Sequence, residues 1–217
     1  SDRTGSGGHL HFHVADAESD DNLFLDEDDG QGLGLSEFAY HFIGGIFAHA
    51  PALACVTSPT VNYYKRLQVG SGLTGTQSGF TWTPAFVSYG DNNRTQMIRT
   101  AGPGHLEDRT VSAASNPYLA MAAYVSAGLD GVRHKMDPGK AYLGNLYELG
   151  LDEIKRRGIG MLPQSLAEAT SELRKDVVIQ EALGAVYDEF IDLKDAEWKE
   201  YHRQVSQWEL DRYLTMF

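Results

Sequence analysis

The chain has one cysteine, Cys55, among its 217 residues, so no disulfide can form within it. Cys55 lies in the apolar stretch Pro51-Ala52-Leu53-Ala54-Cys55 and is expected as a buried thiol in a reducing compartment. Basic residues are in deficit: 18 Lys and Arg stand against 30 Asp and Glu, a formal net charge of −12. That balance argues against nucleic acid or an anionic membrane as a partner, while leaving room for local basic clusters that grip a small phosphate-bearing molecule. No apolar run approaches the length of a membrane span, and the start carries no signal-peptide pattern. The expectation is a soluble, cytoplasmic protein. Repeats, low-complexity tracts and clear linkers are also missing, and a hydrophobic content of 42% suits one substantial core, so residues 1–217 are read as a single domain.

What is present is concentrated at the start, in Gly5-Ser6-Gly7-Gly8-His9-Leu10-His11-Phe12-His13-Val14. Alternate side chains of a strand share a face. His9, His11 and His13 are therefore expected on one side, with Leu10, Phe12 and Val14 turned to a core. A Gly/Ser turn before the strand lets backbone approach a ligand closely, and neutral imidazoles are common metal ligands and hydrogen-bonding groups. Only Ser1 to Thr4 precede this motif, so a preceding portion of a longer chain is expected.

The acidic stretch Asp16 to Gly34 lacks calcium-loop spacing and reads as a solvated surface loop. Ser36 offers an N-cap, and Phe38, Phe42 and Ile46 with Ala39, Ile43 and Phe47 build an apolar stripe, predicting a buried helix from Ser36 to Ala50 that Pro51 ends or kinks. Leu67 to Gly79 contains no acid and is rich in Gly, Ser and Thr, as a mobile flap would be. Phe80 to Tyr89, Arg94 to Arg99 and His105 to Val111 read as strands, the last two joined by Gly102-Pro103-Gly104. A helix is predicted from Asn116 to Gly128, ended by Leu129-Asp130-Gly131. The last third reads as helical, with a Ser165/Glu168 capping box, a helix over Val177 to Phe190, and a stripe of Trp198, Tyr201, Val205 and Trp208 over Lys194 to Tyr213.

Four arginines, Arg66, Arg94, Arg99 and Arg109, sit in aromatic or apolar surroundings on both sides of Glu107. Planar guanidinium groups beside Gly-rich turns grip carboxylates and phosphates. Strand alternation puts His105, Glu107 and Arg109 on one face. Glu107 together with His9 makes a mixed nitrogen and oxygen site suited to Mn²⁺, or to Mg²⁺ with further oxygens. The residues alone thus point to a phosphate and carboxylate binder with a divalent metal.

Seven blocks in order resemble the C-terminal catalytic part of the glutamine synthetase family: Gly5-Ser6-Gly7-Gly8-His9-Leu10-His11, Pro59 to Leu67 (PTVNYYKRL), Asn93 to Arg99 (NRTQMIR), Glu107-Asp108-Arg109, Asn116-Pro117-Tyr118-Leu119-Ala120, Ala127-Gly128-Leu129-Asp130-Gly131 and Asn145-Leu146-Tyr147-Glu148. The resemblance implies an α+β fold: a curved, mainly antiparallel sheet packed by helices, of the glutamine synthetase and guanidino kinase catalytic-domain type, with a helical C-terminal third. It implies that a small N-terminal β-grasp domain and the first catalytic strands precede Ser1 in a full-length protein.

It further implies roles. His9 and Glu107 would hold a Mg²⁺ or Mn²⁺ ion, and His11, His13 and Arg99 would contact ATP. Arg66 would hold the α-carboxylate of L-glutamate, Arg94 would steady the transferred phosphoryl group, and Arg109 would serve both. Gly5 and Gly7 would shape the amino-acid pocket. The implied reaction joins ammonia or another amine to the γ-carboxylate of glutamate through a γ-glutamyl phosphate, in a homo-oligomer of dodecamer type. Two departures bear on this. The flap glutamate that helps deprotonate ammonium in bacterial members has no counterpart between Leu67 and Gly79, and His105 stands where those enzymes have arginine. The first leaves room for methylamine or a larger amine in place of ammonium, as in a γ-glutamyl-alkylamide synthetase, and the second bears on one nucleotide contact. Tyr147 aligns with a tyrosine that some members modify by adenylylation, and the bland reading of it is an exposed loop residue. The alternative, a non-catalytic binding or regulatory relative, would not need His9, Glu107, Arg66, Arg94 and Arg109 all to be present.

Overall fold

The computed structural model describes residues 6–67 and 85–216. Its centre is a four-stranded sheet formed, in spatial order, by β1 (Leu10–Phe12), β5 (His105–Asp108), β4 (Ile98–Gly102) and β3 (Tyr89–Gly90). β1 and β4 flank β5 antiparallel, while β3 runs parallel to β4. A second sheet pairs β2 (Phe86–Val87) with β6 (Gly160–Met161). The expected α+β class with a mainly antiparallel sheet is what the chain adopts. Each strand of the central sheet turns one face to the core, where Ile98 and Leu106 are fully buried and the Phe12 ring packs among Phe24, Phe42 and Tyr124.

Against that face lie α1 (Glu37–Thr57) and α2 (Pro117–His134). Ser36 caps α1 by accepting from the Ala39 amide. The helix does not stop at Pro51 but continues to Thr57. Proline inside a helix costs about 3 kcal/mol, but Ala52 to Thr57 are all buried, and Leu53 and Val56 each bring about 1.5–3 kcal/mol of burial. With 21 residues and a mean hydropathy of 1.3 over its best window, α1 does have the length and composition of a membrane span; 72% of that window is buried against the rest of the protein, as in a core helix.

α2 likewise passes the glycine expected to end it. Its C-cap is Lys135, in the left-handed conformation at φ 51°. Gly131 lies inside the helix because α1 crosses there: a Cβ on Gly131 would stand 2.2 Å from the His41 carbonyl, and one on Gly45 2.1 Å from the Ala127 carbonyl.

The C-terminal third is helical, in shorter pieces than expected: α3 (Leu151–Arg156), α4 (Leu166–Leu173), α5 (Val177–Leu183), α6 (Tyr187–His202) and α7 (Gln207–Tyr213). Gly184, at φ 54°, breaks the predicted Val177–Phe190 helix. A Ser206/Glu209 capping box starts α7 and divides the expected aromatic stripe, leaving Val205 and Trp208 exposed. At α4, Ser165 caps the Glu168 amide while the Glu168 carboxylate accepts from Gln164, one residue earlier than a standard box.

Three other expectations are corrected. Arg94 lies in a turn, since Asn93 gathers the Thr95 amide and hydroxyl and donates to the Gly144 carbonyl; the strand begins at Ile98. The acidic stretch is partly anchored, because Asp29 accepts from the Gln31, Leu33 and Leu35 amides and from the Tyr40 hydroxyl, with Phe24, Leu33 and Leu35 buried. The Phe80–Tyr89 strand is split at Ser88 between the two sheets. Its first residues, and the expected flap beyond Leu67, lie outside the described residues.

Candidate active site

Strand register assembles the site. His11 lies directly opposite Glu107 on β5, and Glu107 directly opposite Arg99 on β4, so the three form a row across one face of the sheet. His9 and Arg109 join from two residues before His11 and two after Glu107. His9 Nδ1 is 2.9 Å from Glu107 Oε1, and His11 Nε2 is 3.6 Å from the same oxygen. Arg109 Nη1 donates to it at 3.0 Å, while Arg99 Nε donates to Oε2.

Glu107 is 1% exposed. Burial opposes its ionisation, but the hydrogen bond from Arg99 and the nearby charges of Arg109 and Arg99 outweigh it and hold the carboxyl below its ordinary value. His9 is pushed down by burial and by Arg109, against the pull of Glu107. An ionised carboxylate beside a neutral imidazole is the protonation pattern that binds a divalent cation. Adjacent ligands on such an ion stand about 3 Å apart when each bond is about 2.1 Å, which the His9–Glu107 pair matches. These two residues fit part of a metal shell. Among the described residues no group of three or more His, Cys, Asp or Glu side chains completes one.

Arg66 follows the 3-10 turn Tyr63–Lys65. Its guanidinium lies over the Tyr63 ring at 5.0 Å, and Nη1 is buried without a hydrogen-bond partner among the described residues. Burial and the neighbouring Arg109 lower its pKa to about 10. A desolvated cation with a free donor is a receptor for an anion. Gly7 explains how the space stays open, because a Cβ there would stand 2.7 Å from Arg66 Nη2.

Arg94 is exposed and close enough to Arg109 to repel it. His13, one residue past β1, is exposed and acts electrostatically on His105. The His105 and His11 rings meet at 3.0 Å between Nε2 and Nδ1, and burial followed by the neighbouring imidazoles lowers His105. Gly5 lies outside the described residues. The site therefore gathers His9, His11, His105, Glu107, Arg99 and Arg109 on one sheet face, with Arg66 beside Gly7 and Arg94 near Arg109.

Two residues have surroundings that the sequence did not reveal. Asp108 points to the opposite face of β5, fully buried, and accepts from the Tyr124 hydroxyl at 2.5 Å and from the Thr110 amide at 2.6 Å. Burial pushes its carboxyl up. It anchors the strand that carries Glu107 and Arg109 to α2, and an acid at an inward position of an alternating strand was its signal. Tyr147, expected as an exposed loop residue, is half-buried in a 3-10 turn; burial raises its hydroxyl, against the pull of Arg109 and Arg66. A groove of about 640 Å³ lined by Phe47, Tyr89, Lys140 and Arg157 includes none of the site residues.

Comparison with known proteins shows what the whole chain is similar to. The family model described as glutamine synthetase, catalytic domain, matches residues 1–213. A glutamate–methylamine ligase of Methyloversatilis universalis is 50% identical over the whole chain, which covers 48% of that protein. A glutamine synthetase of Rhizobium meliloti is 43% identical over 95% of the chain and 46% of its own length. Among solved structures, a GmaS/ADP complex superposes with a TM-score of 0.86 at 41% identity, over 97% of this chain and 46% of that one. GmaS without ligand superposes at 0.82 and 39%, over 98% and 45%. The chain thus spans about half the length of the relatives it matches.

Proposed function

This chain belongs to the glutamine synthetase family, and from that premise we propose that its protein is an ATP-dependent ligase joining an amine to the γ-carboxylate of L-glutamate. The observation that carries the reading is the concentration of guanidinium groups beside one buried carboxylate: Arg99 and Arg109 on Glu107, with Arg66 next to Arg109. Phosphoryl transfer needs positioning and cancellation of negative charge more than it needs covalent chemistry from the protein.

In the first step a γ-carboxylate oxygen of glutamate attacks the γ-phosphorus of ATP, and ADP leaves with the bridging electron pair. In the second the amine nitrogen attacks the acyl carbon, inorganic phosphate leaves with the carbon–oxygen electron pair, and the nitrogen gives up a proton. Arg66 receives the α-carboxylate through Nη1, which has no partner among the described residues, and Arg109 and Arg94 offset charge on the phosphoryl group. Arg99, His11 and His13 face the nucleotide phosphates. His9 and Glu107 would hold a Mg²⁺ or Mn²⁺ ion, whose chemistry is to neutralise phosphate charge.

For the amine, the absence of any acid between Leu67 and Gly79 favours an alkylamine over ammonium, and the 50% identity to a glutamate–methylamine ligase points to methylamine. Self-association into a homo-oligomer belongs to the same proposal. The test is a panel of ammonium, methylamine, ethanolamine and a polyamine, assayed by phosphate release from ATP with the full-length protein. Release is expected only with glutamate and an amine together, and fastest with methylamine. Full release without glutamate would refute the ligase reading, and the non-catalytic alternative requires no release under any condition.

A further inference from the structure

Lys194, Glu197 and Tyr201 stand at i, i+3 and i+7 on α6 and so share one stripe. All three fall on the segment that leads into Arg66. Lys194 Nζ donates to the Pro59 carbonyl at 2.7 Å and pairs with Glu197 Oε2 at 2.9 Å. Glu197 Oε1 accepts from the Val61 amide at 2.9 Å. The Tyr201 ring lies 5.8 Å from Lys65 Nζ. On its other side the segment is pinned to the exit of β5, where the Tyr63 hydroxyl donates to the Thr110 and Val111 carbonyls at 2.8 and 2.9 Å.

Arg66 needs such support. Its Nη1 has no protein partner among the described residues, so the aim of that donor is set by the main chain and by the Tyr63 ring beneath the guanidinium. Glu197 has two oxygens and one donor on each, which makes it the joint between α6 and the turn. Among the described residues, the contacts of this stripe with the 59–66 segment fall on Pro59, Val61 and Lys65, so its route to the site runs through the turn that carries Arg66.

We propose that Glu197, braced by Lys194, is a positioning residue for Arg66, and that α6 thereby sets the affinity for the α-carboxylate of glutamate. The proposal rests on the reading of Arg66 given above. Losing Glu197 leaves the Val61 amide without its acceptor and Lys194 with the Pro59 carbonyl alone, which lets the turn shift, and displacements near 1 Å are enough to impair a site of this kind.

The experiment uses full-length Glu197→Ala, Glu197→Gln and Lys194→Met, with KM for glutamate and for ATP measured separately. Glu197→Gln keeps a carbonyl oxygen for the Val61 amide. For Glu197→Ala the glutamate KM is expected to rise by about tenfold with the ATP KM within about twofold. Glu197→Gln should return to within about threefold of wild type, and Lys194→Met should fall between the two. An unchanged glutamate KM in Glu197→Ala overturns the proposal, and so does a parallel rise of both KM values, which marks general loosening. Should Glu197→Ala fail to fold, Lys194→Met decides: a selective rise in glutamate KM supports the proposal and no rise overturns it. Wild-type turnover that needs no glutamate overturns the reading of Arg66 beneath it; glutamate-dependent turnover that ignores all three variants overturns this proposal alone.

Discussion

Arg66 and Arg109 are both desolvated cations, yet their surroundings divide their work. Arg109 spends a donor on Glu107, whereas Arg66 has a buried Nη1 with no hydrogen-bond partner among the described residues. Arg66→Ala is therefore expected to raise the glutamate KM at least tenfold, about 1.4 kcal/mol of lost binding, with the ATP KM unchanged. Arg66→Lys should recover little, since an ammonium cannot reproduce the planar fork. Initial-rate measurements with each substrate varied would check both, and a glutamate KM insensitive to either change would remove the assignment. At this scale much is legible in the amino-acid order itself. Period-two alternation in His9-Leu10-His11 and in His105-Leu106-Glu107 puts the polar side chains on one face, and the register then brings that row together. The partners of Asp108 and Tyr147 were not legible, because Tyr124 and Arg66 are remote in sequence and only tertiary packing supplies them.

The elements are held by close approach and by charge. Gly45 and Gly131 let α1 and α2 touch backbone to backbone, and a methyl on Gly131 would meet main-chain atoms of α1 at 2.2 to 2.6 Å. Gly131→Ala is expected to destabilise the protein by about 1–3 kcal/mol, the range of overpacked cores, whereas Gly30→Ala, with nothing within 4 Å, should be neutral. Chemical denaturation of both variants tests the contrast. Glycine at 131 and proline at 51 look like terminators locally, and burial on the facing helix overrides both. This is why the existence of α1 and α2 was legible and their ends were not.

His49 joins three helices, with Nδ1 2.7 Å from Asp176 at the start of α5 and Nε2 3.1 Å from Asp130 on α2; Asp130 also faces His134. The Asp176 hydrogen bond, against burial and with help from Asp130, raises the His49 pKa above the ordinary 6.5. A raised imidazole pKa stabilises the fold fully below the unfolded value and loses that contribution as pH climbs through the folded one. Thermal stability should thus fall as pH rises from about 6.5, and His49→Gln should flatten that fall. A variant with the same pH dependence as wild type would assign the effect elsewhere.

At the scale of the whole molecule, the inventory of donors around the proposed cation is what matters. Among the described residues His9 and Glu107 are the pair that fits one, and no third carboxylate or imidazole completes the group. A Mg²⁺ or Mn²⁺ ion takes about six ligands, so two side chains, one of them already shared with Arg99 and Arg109, would bind it weakly. The relatives are about twice as long as this chain. Residues 1–217 alone are accordingly expected to bind Mn²⁺ at least 100-fold more weakly than the full-length protein and to release no phosphate from ATP in the presence of glutamate and methylamine. Titration calorimetry with Mn²⁺ on both proteins, beside the phosphate assay, separates the possibilities. Tight Mn²⁺ binding and turnover by residues 1–217 would mean that the reaction needs only the sheet face built on β1, β4 and β5. Weak binding restored in the longer protein would mean that the other half supplies the oxygen ligands this face lacks.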